Sequence, residues 1–252
     1  MKRIAERPRD YVGVRGPDAE DLLQRLVSND VAQAPCEALL LTPKARVVAT
    51  LVVTRRGPDD FLLLTEPGLG EVVRETLLRA RFAAKVEIER EEHVSHVVFG
   101  EEDGIPNRDY GEPAVEVLDA PLETTIGMDE LERMRIEAGT PRYGREIDER
   151  VLPAEAGLVE RAISFTKGCY PGQEPVARLH YRGHVNRALR VLRLDGPELP
   201  EPDAEIRHGD RVVGRVTSVA RADGAIVALG YVRADVPADA PLEVGSAGAR
   251  VH

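Results

Sequence analysis

Lys167 and Cys169 stand two residues apart in the stretch KGCYPGQEP. An ammonium group beside a thiol favours the thiolate, the form that attacks electrophiles and binds soft metals. The chain has only two cysteines, Cys36 and Cys169, and only four lysines among its 34 Lys and Arg residues. A lysine at 167 runs against that composition and points to a need for a point charge or an amine instead of a guanidinium fork. The alternative is that Cys169 is a small buried hydrophobe, as free cysteines commonly are. No His or Asn partner is identifiable, so a cysteine-protease arrangement is not supported. The two cysteines form no CxxC and no disulfide framework, and they are too few for a four-ligand zinc or iron–sulfur site within one chain. His180 and His184 have helical spacing, but Gly183 between them argues against a helix there, and no metal site is expected.

Glu137 ends the stretch RMRIE, among the last residues of a short helix. A carboxylate there faces the negative end of the macrodipole. It is either an exposed helix glutamate or an acceptor for a ligand with two parallel N–H donors. From Pro175 to Leu194 there are five arginines (Arg178, Arg182, Arg187, Arg190, Arg193) and no acid. They are either alternating outward residues of a strand or a local anion site.

Several elements must position these groups. YVGVR (11–15) reads as a strand, and Ala19, Leu22, Leu23, Leu26 and Val27 then fall on one helical face. Pro17 suits that helix's first position, and Asn29 and Asp30 its exit. Strands follow at 38–42, 46–55 and 61–66, the last two as a hairpin over GPDD. A helix places Val72, Val73, Thr76, Leu77 and Ala80 on one face, and KVEIER (85–90) alternates as a strand. This order is the ferredoxin-like split βαβ pattern, an antiparallel sheet with both helices on one face. HVVFG and AVEVL give two more strands. MDELERMRIEAG gives a helix that Asp129 can cap, with Glu132 at the capping-box spacing and Gly139 at its end. Residues 140–165 show no period, which in a compact chain points either to function or to an element that the pattern does not reveal. KGCYPGQEP reads as a loop of fixed shape, formed by Gly168, Pro171 and Gly172, with Gln173 and Glu174 bracing it by hydrogen bonds. Beyond Asn186 the strands are short and alternating, separated by HGD, ADG and PADAP turns, which predicts a small β-barrel.

With 252 residues, 42% hydrophobic and 31% charged, the chain can bury a sizeable core. Its net charge of −10 opposes broad binding to nucleic acid. Only Tyr181 offers an aromatic platform among the arginines, so direct nucleic-acid binding is not expected. No apolar run approaches membrane-spanning length, and MKRIAERPRDYVGV has no apolar h-region, so a cytoplasmic protein without membrane partners is expected.

KGCYPGQE (167–174) resembles the signature of the YgfZ-type folate-binding proteins, relatives of the glycine-cleavage T-protein, an aminomethyltransferase. VRGPDAEDLLQRLVSNDV (14–31), RMRIEAGTPRYGREIDERVLPAEAGL (133–158) and RVVGRVTSVA (211–220) resemble further family segments in the right order. The resemblance implies an α+β, T-protein-like folate-binding domain over 1–185, in two lobes split near 92, and a C-terminal β-barrel over 186–252. It implies tetrahydrofolate or a derivative in a central channel. Glu137 would meet the pterin edge, and Lys167 and Cys169 would form the functional pair at the channel mouth. Tyr170 and Arg178 complete the candidate cofactor-binding set, the arginine run holding the folate tail. Aminomethyltransferases carry Gly-Gly-x-x-Asp-Asp after the first helix. Here Ala49 and Thr50 stand at the aspartate positions, so glycine-cleavage transfer is not expected. The resemblance therefore implies an accessory protein for iron–sulfur enzymes, including tRNA-modifying ones, with iron–sulfur proteins as clients. The alternatives are a folate-dependent one-carbon transferase in which Asp30 or Glu66 replaces the missing aspartate, and a direct tRNA binder.

Overall fold

The computed structural model describes residues 2–201, 203–222 and 224–252. Three sheets organise them. β1 (Ile4–Glu6) is followed by β2 (Asp10–Arg15), α1 (Ala19–Leu26), a 3₁₀ turn at Val31–Gln33, β3 (Cys36–Leu41), β4 (Val47–Gly57), β5 (Asp60–Thr65), α2 (Gly70–Ala80) and β6 (Glu87–Glu91). β2 to β6 form one antiparallel sheet in the order β3-β4-β5-β2-β6. Without β3 this is the expected ferredoxin-like order. β3 lengthens the sheet at one edge. The period-2 pattern sends Val12, Val14, Leu51, Val53, Phe61 and Leu63 to one face, where α1 and α2 cover them. α2 buries Val73 and Leu77, with Leu69 buried just before it, while Val72, expected on the inner face, is exposed.

The other face, with Tyr11, Leu62 and Leu64, packs on a second sheet through Ile105 and Leu118. That sheet is β7 (Ser95–Phe99), β8 (Ile105–Asn107), β9 (Ala114–Leu118) and β1, in the order β1-β7-β9-β8. The N-terminal strand thus belongs to the second lobe, although the chain between β1 and β7 builds the first. α3 (Met128–Glu137) covers the second sheet with Leu131 and Met134. Its N-cap is Gly127, so Asp129 lies inside the first turn and does not cap. Glu132 makes no capping box; it accepts from Arg135 and Arg142. Gly139, at φ +72°, does end the helix.

The aperiodic segment 140–165 is largely core. Ile147, Val151, Ala156, Leu158 and Ala162, the last on the short α4 (Val159–Ala162), pack against Leu39, Leu41 and Val47 and reach Tyr231 of the barrel. The expected loop at KGCYPGQEP ends at Gly172. α5 (Gln173–Arg182) begins there, which corrects the loop reading for 173–175, and it ends before Gly183, so His180 and His184 share no helix. Pro175 fits its first turn, where no intrahelical N–H is needed. The arginine run therefore divides, with Arg178 and Arg182 on α5 and Arg187, Arg190 and Arg193 on β10 (Arg187–Leu194).

β10, β11 (Glu205–His208), β12 (Arg211–Ala222), β13 (Ala225–Arg233), β14 (Leu242–Val244) and β15 (Ala247–Val251) close into the predicted barrel, in the order β10-β13-β12-β11-β14-β15. Gly214 lets β12 approach β13, since a Cβ there would lie 2.1 Å from the Tyr231 carbonyl oxygen. α3 docks on the barrel through Ile136, Val227 and Leu229. Among the described residues, no helix is long and apolar enough to cross a membrane.

Candidate functional site

Two adjoining cavities lie where the sheets and the 140–165 segment meet. The inner one, about 50 Å³, is lined by Arg7, Glu66, Asn107 and Arg135, all buried, and by Thr50. The outer one, about 250 Å³, is lined by Asn29, Asp30, Gln33 and Cys36. Glu37, Val52, Pro106, Arg108 and Arg161 border both, which makes them one central site.

Its walls are charged and mostly paired. Arg161 donates to Glu37 (2.8 and 3.0 Å) and to Asp109 (2.9 Å). Arg7 donates to Glu66 at 2.5 Å, and Arg9 lies 3.6 Å from the same carboxylate. Arg9 also pairs with Glu116, which accepts from Ser95 and Asn107 at 2.8 Å each. Burial pushes the Glu116 pKa up, but the Arg9 charge overrides it and holds the carboxylate at about 2. Arg108 is different. It is exposed, borders both cavities, and among the described residues forms no ion pair. No sequence signal marked Arg108, Arg161 or Glu37, because each gains its setting from segments distant in the chain.

The predicted site residues separate. Lys167 lies beside the outer cavity: its Nζ donates to the carbonyls of Val27 (2.6 Å) and Asn29 (3.1 Å), just past α1, and sits 5.2 Å from the Tyr170 ring centroid. Burial lowers its pKa to about 8, against the opposing pull of Asp30. A lysine serves here because one tetrahedral ammonium can reach two carbonyls at a helix end. Tyr170 is buried, and burial pushes its hydroxyl up to about 12. Cys169 is exposed. The cysteine that borders the cavity is Cys36, whose thiol burial pushes up to about 11, Asp30 adding to the effect. Gly172 takes φ +83°, and a Cβ there would meet the Thr42 carbonyl oxygen at 2.7 Å, so this turn requires glycine. Gly168 has neither constraint. Glu174 is exposed in the first turn of α5, where its charge suits the helix N-terminus.

Glu137 borders neither central cavity. Its half-exposed carboxylate accepts from Arg133 at 2.6 Å. Arg178 lines a separate groove with Lys44 and Leu152. Of the two positions matching the aspartates, Ala49 is buried under α1 and α2, and Thr50 borders the inner cavity. A hydroxyl thus occupies the cavity-facing place. Asp30, one suggested substitute base, is held below the usual carboxylate range by hydrogen bonds from the Gln24 side chain and the Ala32 N–H. The other, Glu66, is engaged by Arg7.

The fold defines the class. A crystal structure of the glycine-cleavage aminomethyltransferase T from Bartonella henselae superposes with a TM-score of 0.84 at 18% identity, covering 100% of this chain and 85% of that one. The molecule therefore has a T-protein-like fold. The sequence resemblance to YgfZ-type proteins is borne out as well: the tRNA-modifying protein YgfZ of Edwardsiella ictaluri is 43% identical over 115 residues. That match spans 43% of this chain and 35% of the YgfZ protein, so the chain aligns with about a third of that relative. An uncharacterized protein of Haemophilus influenzae is 28% identical over 85% of this chain and 83% of its own length. No family model matches.

Proposed function

We propose that this protein binds a reduced folate in the central site and serves as an accessory factor for iron–sulfur enzymes, those that modify tRNA included. The observation that carries the binding reading is Arg108, an unpaired guanidinium bordering both cavities among charges that are mostly paired. A folate ends in carboxylates and bears a pterin rich in N–H donors. The donor set fits it: Arg108 suits the tail, and the Glu37 and Asp109 carboxylates supply acceptors in the same walls. Glu137, the pterin partner implied by resemblance, would have to exchange Arg133 for the ligand. Thr50 cannot act as the proton acceptor that an aspartate would be, which favours an accessory role over one-carbon transfer. The exposed thiol of Cys169 is available to a client protein. The link to tRNA modification rests on what the YgfZ relatives are named for.

Calorimetric titration with tetrahydrofolate tests the reading. One-site binding is expected, weakened about tenfold in Arg108→Gln, which corresponds to ~1.4 kcal/mol. Loss of binding in Glu137→Gln would assign the pterin edge to that residue; intact binding there would leave the edge to Glu37. Absence of saturable binding at millimolar folate would overturn the folate reading.

A further inference from the structure

Away from the central site, a groove of about 490 Å³ runs between α5, the turn joining β3 to β4, and residues 152–154. Its floor is apolar, with Leu152, Val176 and Leu179. Its rim carries Lys44, Arg46, Arg178 and Arg182, and no acidic residue lines it. Among the described residues, Lys44, Arg178 and Arg182 form no ion pair. Glu174, one turn before Arg178, does not pair with it, while Glu155 and Asp148 are taken by Arg187 and Arg150. Among the described residues, the Arg46 guanidinium donates only to the Arg150 carbonyl.

In a chain of net charge −10, most arginines have acidic partners. Converging cations left without them, over an apolar floor, complement a negatively charged ligand. The volume lies within the ~300–1,000 Å³ typical of small-molecule sites. We infer that this groove is a second binding site, for an organic anion whose apolar body lies on the floor and whose carboxylate or phosphate head is held by Arg178, Arg182 and Lys44. The site is independent of the folate reading.

The probe is 8-anilinonaphthalene-1-sulfonate, an apolar body with an anionic head, compared with the neutral N-phenyl-1-naphthylamine. The full chain should bind the anionic probe at one saturable site, with affinity falling as salt rises. The neutral probe should bind at least tenfold more weakly. In R178Q/R182Q the anionic probe should lose about tenfold in affinity with the thermal midpoint unchanged, since both arginines are exposed. Ala154→Trp, which fills the groove, should block binding; R108Q should not alter it. Competition by dodecanoate and by dodecyl phosphate then identifies the preferred head group. Equal binding of both probes, indifference to R178Q/R182Q, or displacement by neither competitor would overturn the assignment. Displacement by tetrahydrofolate that R178Q/R182Q also abolishes would make the groove the folate site and overturn its standing as a second one.

Discussion

Lys167 matters at the scale of single residues because its ammonium ties the signature loop to the chain just past α1. Lys167→Met keeps the stem and removes two charge-assisted hydrogen bonds. It should destabilise the fold by about 1–3 kcal/mol, read as a lower urea midpoint at constant slope. The folded pKa of about 8 lies below the ordinary 10.5, so the unfolded chain holds that proton more tightly between the two values. Wild-type stability should therefore rise with pH across that window relative to Lys167→Met. A parallel titration without divergence would mean that the amine is not buried as described. The two thiols should also differ in rate. At pH 7.5 an alkylating reagent should modify exposed Cys169 well before Cys36, whose thiol is half-buried and pushed up to about 11. Peptide mass mapping of a time course would show the order.

Between elements, the junction of α3 with the barrel combines the apolar contact of Ile136 with one buried polar network. Arg135 donates to Glu146 (3.0 Å), Ser218 (3.0 Å) and the Thr140 carbonyl (2.5 Å), and the Ser218 hydroxyl donates to Glu146 at 2.6 Å. Tyr231 closes it by donating to the Glu146 carbonyl at 2.9 Å. The Glu146 side chain is 0% exposed. Glu146→Ala would leave the Arg135 guanidinium with Glu132 as its only carboxylate, at a cost of about 3 kcal/mol. Ser218→Ala removes a neutral hydroxyl and should cost about 1 kcal/mol. Equal effects in thermal unfolding would show that charge pairing does not hold this junction. The segment RVVGRVTSVA (211–220), which contains Ser218, was legible as a family segment, but its physical task, receiving the end of α3, was not.

Across the whole molecule, the two sheets meet over ionised side chains as well as apolar ones. Glu116, held at about 2 by Arg9, joins the second sheet to the segment leading into the first. The unfolded carboxylate titrates near 4.5. The stability this pair provides is therefore complete above that value and is lost as pH falls from about 4.5 towards 2. Glu116→Gln should flatten that part of the acid-unfolding curve while lowering stability at pH 7, both measurable by circular dichroism. An unchanged acid limb would assign acid unfolding to other carboxylates.

What the sequence determined by itself was what neighbours in the chain decide. The alternation of Val12, Val14, Phe61 and Leu63 and the helical stripe of α1 specified the ferredoxin-like core, and the short strands after Asn186 specified the barrel. The signature residues carried the resemblance. The tertiary structure alone decided which charges are buried. AVEVL reads as a strand, but nothing in it shows that the Glu116 carboxylate is buried against Arg9, 107 residues earlier. The start of α5 inside a Gly- and Pro-rich stretch was hidden because Pro is compatible with a first helical turn. Arg178 stands out in the sequence as part of the arginine run, and Arg108 does not. Their different settings, one at the central site and one at a separate groove, arise from packing between distant segments, and local pattern carries no record of that.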